Sequence, residues 1–95
     1  MTTVQQVAEA FVGSKVARCG NATTDGVTYR LHGNIIAIDT PEGILFNWCG
    51  WYTPTTANHM NEILRAMYAG GGKSWTKVSY SAARTSGQTT FNVER

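Results

Sequence analysis

The first stretch of the chain repeats its apolar residues at helical spacing. Val4, Val7, Ala8, Phe11 and Val12 stand at i, i+3, i+4, i+7 and i+8 and form one stripe. Thr2 or Thr3 suits the N-cap and Gly13 a left-handed residue past the end, which predicts a helix over 3–12. From Ser14 onward the period becomes two, and turn residues arrive at short intervals: Asp25-Gly26, Gly33-Asn34, then Thr40-Pro41-Glu42-Gly43. Strands are predicted between them over 15–23, 27–32, 35–39 and 44–49. Consecutive tight hairpins make an antiparallel meander, with Gly33 and Asn34 expected to supply the positive φ angles of one turn. In the second strand Val27, Tyr29 and Leu31 face one way, and Thr28, Arg30 and His32 the other, so one face packs and one is solvated.

The helical period returns after Thr53-Pro54-Thr55-Thr56. Met60, Ile63, Leu64, Met67 and Tyr68 form a second stripe, ended by Gly70 to Gly72, and its polar side carries Asn58, Asn61, Glu62 and Arg65. Trp75, Val78 and Tyr80 predict a fifth strand over 74–82. The rest is polar, although Phe91 and Val93 could dock as a short final strand. The expected fold class is α+β: an antiparallel sheet of four to five strands with two helices packed on one face, in the order αββββαβ. Residues 1–83 form a single domain in this reading, and 84–95 a flexible C-terminal tail.

Composition narrows the function. A chain of 95 residues buries only about 60% of its unfolded surface, so a deep catalytic cavity would consume much of its core. A net charge of +2 is too small to mark a dedicated nucleic-acid binder. No apolar run is long enough for a membrane span, and the N-terminus does not read as a signal peptide. Cys19 and Cys49 make no CxxC pair and are expected as part-buried free thiols.

Catalytic and metal chemistry find little support. A Cys-His nucleophile would need His32 or His59 within hydrogen-bond reach of Cys19 or Cys49, plus a group to orient the ring, and no local signature surrounds either cysteine. His32, His59, Cys49 and Asp39 lack the spacing of metal ligands on one helix or strand face. The loop Cys49-Gly50-Trp51-Tyr52 is more informative, because it places two large rings outside any strand. Exposed aromatic rings beside a polar helix face are a common way to anchor a partner. The same rings would equally cover the end of the core if they pack inward.

Three blocks together look familiar: Gly20-Asn21-Ala22-Thr23, then Tyr29-Arg30-Leu31-His32-Gly33-Asn34-Ile35-Ile36-Ala37, then Gly50-Trp51-Tyr52-Thr53-Pro54-Thr55-Thr56. They resemble a group of small proteins of unknown function encoded by bacteriophages and prophages, with Gly-Asn-Thr, Leu-His-Gly-Asn and Gly-Trp-x-Thr-x-Thr-Thr elements. The likeness spans roughly 19–64. It departs where Ala22 precedes Thr23, and where His59-Met60-Asn61 replaces a more usual Arg-Leu-Asn.

The resemblance implies a setting, not a chemistry. The expectation is a non-enzymatic phage accessory protein in the host cytoplasm that binds a host or phage protein, in the manner of anti-CRISPR inhibitors of host defence. Its partner-binding residues would be Trp51, Tyr52, Asn58, Asn61, Glu62 and Arg65. The alternative is a nucleic-acid binder using a basic, aromatic-bearing sheet face, with Arg18, Arg30, His32, Lys73 and Lys77 on the phosphates and Trp48, Trp51, Tyr52 and Trp75 for stacking. No cofactor, metal or membrane partner is expected, and the chain would be a monomer or small homo-oligomer.

Overall fold

The computed structural model describes residues 3–69 and 77–94. Within them the chain is an α+β domain with six strands and three helices. The order is α1 (Val4–Val12), β1 (Ala17–Cys19), β2 (Ala22–Thr24), β3 (Thr28–Leu31), β4 (Asn34–Thr40), β5 (Gly43–Asn47), α2 (Pro54–Tyr68), α3 (Tyr80–Ser86) and β6 (Thr90–Val93). The strands form one antiparallel sheet in sequence order.

Both long helices form on their stripes, although α2 begins at Pro54, earlier than a start capped by Thr55 or Thr56 would place it. Thr3 caps α1 in a reciprocal box with Gln6, and Thr53 caps α2 ahead of Pro54, whose missing N–H costs nothing in the first turn. The α1 stop differs from expectation. Gly13 has φ −87°, and Ser14 takes the left-handed position at φ 59°. The expected stop of α2 at Gly70 to Gly72 lies outside the described residues.

Three further elements differ from the sequence pattern. The single strand expected over 15–23 is a hairpin, because Gly20 (φ 57°) and Asn21 turn the chain and bring Cys19 opposite Ala22. The fifth strand expected over 74–82 is helical from Tyr80 onward: Ser79 Oγ accepts the Ala82 N–H, and Gly87 at φ 71° closes the helix. A short apolar run is ambiguous in period, and here the caps decide. Residues 74–76 of that run lie outside the described residues. The segment read as a tail carries the end of α3 and then β6, the docked strand anticipated at Phe91 and Val93. Phe91 stacks on Phe46 with centroids 4.9 Å apart.

The core lies between the helices and one sheet face. Phe11, Tyr29, Ile36, Ile44, Phe46, Trp48, Met60 and Ile63 are fully buried there, each worth roughly 1.5–3 kcal/mol of transfer free energy. Phe11 meets the edge of Tyr29 at 5.9 Å, which joins α1 to the centre of the sheet. Among the described residues no helix covers the opposite face. Its cross-strand rows run Arg18–Thr23–Arg30–Ile35 and Thr28–Ile38–Leu45–Asn92.

Candidate functional site

Two tight turns frame one end of the sheet. At the first, Leu31 pairs with Asn34, so the turn residues are His32 (φ 52°) and Gly33 (φ 81°), not Gly33 and Asn34. Both angles are positive, as a type I′ turn demands, and histidine is among the residues that tolerate the left-handed region. His32 therefore does not continue the solvated row beside Arg30. A β-bulge enforces this register: Arg30 pairs with Ile35 and Tyr29 with Ala37, leaving Ile36 as the extra residue. Ile36 and Ala37 are consequently both buried.

The second turn has the same form. Cys49 (φ 54°) and Gly50 (φ 78°) reverse the chain after β5, and the Trp51 N–H donates to the Trp48 carbonyl at 2.9 Å. Its surroundings hold this loop firmly. The Cys49 thiol donates to the Ile35 carbonyl at 3.1 Å, and the Asn47 carboxamide accepts the Cys49 N–H at 2.9 Å. Tyr52 stacks on buried Trp48 and donates its hydroxyl proton to the Gln88 carbonyl at 2.6 Å. Trp51 is left 56% exposed.

Between the turns lies a pocket of about 480 Å³. Leu31, Ile36 and Trp51 give it apolar walls, while His32, Thr55 and Thr56 bring polar groups to it. Its size falls within the range of small-ligand and side-chain sockets. The sequence marks it faintly, through two X-Gly pairs, His32-Gly33 and Cys49-Gly50, each following an apolar strand. What sequence reasoning missed is that Leu31, His32 and Ile36 share a pocket with Trp51.

The residues expected to bind a partner divide between surface and scaffold. Trp51 and Asn58 are exposed. Tyr52 is spent on Trp48 and Gln88. Asn61 holds the segment before α3, with its Oδ1 accepting the Val78 N–H at 2.7 Å and its Nδ2 donating to the Val78 carbonyl at 3.4 Å. Glu62 and Arg65 pair with each other at 2.9 Å across one helical turn.

The nucleic-acid set is scattered as well. Arg18 and Arg30 share the uncovered sheet face, His32 stands at the turn and Lys77 precedes α3, while Lys73 and Trp75 lie outside the described residues. The expected aromatic-bearing basic face does not form among the described strands. Strand alternation sends Tyr29, Phe46, Trp48 and Phe91 to the helix side, opposite Arg18 and Arg30.

No hydrogen bond joins a cysteine to a histidine among the described residues. His59 lies on the buried side of α2, and its Nδ1 shares a 2.7 Å hydrogen bond with the Tyr29 hydroxyl. Burial holds its imidazole below the ordinary value, with His32 pushing the same way and Glu62 opposing. Burial likewise raises the Tyr29 hydroxyl, helped by Cys19 and Glu62, and it raises the Cys49 thiol. Both cysteines are free and half-buried. Among the described residues no group of three His, Cys, Asp or Glu is placed to hold a metal ion, and no helix is long and apolar enough to cross a membrane.

No curated protein and no solved structure matches the chain. A family model does, over residues 4–92, and so takes in all three helices, both turns of the pocket and all of the sheet but Val93, the last residue of β6. The chain belongs to the Kyanoviridae Gp96 protein family and is a small phage-encoded protein.

Proposed function

We propose that this phage protein acts by binding a protein partner, with Trp51 and the adjoining pocket as the anchor point. The observation that carries the reading is a large ring held 56% exposed on a loop that is otherwise tied down. Leaving such a ring in water forgoes burial free energy, and fixing it in advance lowers the entropy cost of docking. Exposed Pro54, Thr55 and Asn58 extend the surface along the first turns of α2. Asn61 is engaged with Val78, and Glu62 and Arg65 with each other, away from the pocket lining. The anchor requires no catalytic group. Inhibition of a host defence assembly, in the anti-CRISPR manner, is the form of this activity that suits a phage accessory protein in the host cytoplasm.

Protein is favoured over nucleic acid because the basic row and the exposed ring lie apart. Arg18 and Arg30 are on the helix-free face, whereas the Trp51 pocket is built from helix-side residues. The test starts with affinity capture from infected cells, followed by calorimetry with the purified partner. Trp51→Ala should weaken binding roughly 30-fold or more, corresponding to about 2 kcal/mol for a hot-spot aromatic. Its melting temperature should stay within about 3 °C of wild type, as for a surface substitution. Unchanged affinity for the captured partner would sink the proposal. So would tight binding of nucleic acid with a steep salt dependence and no protein partner.

A further inference from the structure

The uncovered sheet face carries a second pattern, independent of Trp51. At its centre Ile35, Ile38 and Leu45 lie on neighbouring strands, half-buried and uncovered by any described helix. On one side of this patch stands exposed Arg30, with Arg18 beyond it across Thr23. On the diagonally opposite side stands exposed Glu94, just past β6. Alternation along β6 from Asn92, which pairs with Leu45 on this face, carries Glu94 to the same side. Among the described residues Arg18, Arg30 and Glu94 form no ion pair, the one such pair being Glu62 with Arg65.

The face is therefore self-complementary along a diagonal: basic corner, apolar centre, acidic corner. We infer that it docks a second copy of this chain in a two-fold dimer. An axis lying in the interface, at about half a right angle to the strands, sets Arg30 of one copy against Glu94 of the other and lays one apolar centre on the other. The two sheets then cross nearly perpendicularly, one of the two standard ways in which sheets pack. A two-fold contact repeats its Arg30–Glu94 pair, so each charge that one copy lacks is supplied by the other. Six short strands at roughly 4.8 Å spacing make a small interface, so the dimer is weak and its population depends on concentration. The Trp51 pockets lie on the helix side of each copy, so the dimer presents two of them.

Sedimentation equilibrium from micromolar to millimolar protein tests this arrangement. Wild type should move from monomer to dimer across that range. Arg30→Glu and Glu94→Arg should each remain monomeric, and the double variant, with the pair reversed, should dimerise again. Trp51→Ala should dimerise like wild type, which keeps this result separate from the partner-binding proposal. A wild type that stays monomeric throughout overturns the inference. Single variants that still dimerise, a double variant that does not recover, or a dimer lost with Trp51→Ala would each overturn it as well.

Discussion

Tyr29→Phe isolates one buried polar contact. The Tyr29 ring is fully buried between Phe11 of α1 and His59 of α2, and its hydroxyl meets His59 Nδ1 at 2.7 Å. Phenylalanine keeps the ring, its edge-on contact with Phe11 and nearly all its volume. The loss is confined to the hydrogen bond and to the now unpartnered Nδ1, on a side chain only 7% exposed. A buried polar atom left without a partner costs about 1–3 kcal/mol, so a destabilisation near 2 kcal/mol is expected. For a domain of this size that lowers the melting temperature by roughly 8–16 °C.

The same pair makes stability depend on pH. Burial holds His59 below its ordinary value, so over the interval between its folded value and about 6.5 the unfolded chain binds more protons. Stability from this group is thus fully present above about pH 6.5 and declines as the pH falls toward the folded value. His59→Asn retains a polar atom near the position of Nδ1 but cannot titrate, and should flatten that part of the profile. Urea titrations followed by tryptophan fluorescence at a series of pH values measure both effects. A Tyr29→Phe variant within about 0.3 kcal/mol of wild type would refute the reasoning. So would a His59→Asn variant with the wild-type slope below pH 6.5.

Gly43→Ala should detach β6, because the new Cβ would run into the Val93 carbonyl and lie 3.0 Å from the Glu94 Cα, at a φ of 149°. Amide exchange at the β6 positions, much faster than in wild type while β3 and β4 stay protected, is the expected signature. Asn61→Ala strands the Val78 N–H and should cost about 1 kcal/mol, read as faster exchange at Val78 and a melting temperature lower by roughly 4–8 °C. His32→Asn puts a residue better suited to φ 52° at the turn and should add about 0.5 kcal/mol. Equal or lower stability in chemical denaturation would count against the turn assignment.

Local pattern was enough for much of the fold. The two apolar stripes determine α1 and α2, since a period near 3.6 is a property of neighbouring residues alone. The alternation and the glycine-bearing turns from Ser14 to Cys49 likewise determine an antiparallel meander. The likeness in the Leu-His-Gly-Asn and Gly-Trp blocks indicated a phage origin, and the family assignment supports it. Trp51 was legible as a candidate because it falls outside any strand pattern.

Tertiary structure decided the rest, because the deciding partners are remote in sequence. The hairpin could turn at His32-Gly33 or at Gly33-Asn34. The bulge at Ile36, which brings both Ile36 and Ala37 under the helices, selects the first. Tyr52 and Trp51 are adjacent and chemically alike, yet one is packed and the other exposed. The difference is that Trp48 and a carbonyl at Gln88, 36 residues away, receive Tyr52. The polar face of α2 looked like open surface until Val78 took Asn61. A period records which side of an element is apolar. Only the assembled chain determines what covers that side and which rings and polar groups remain uncovered.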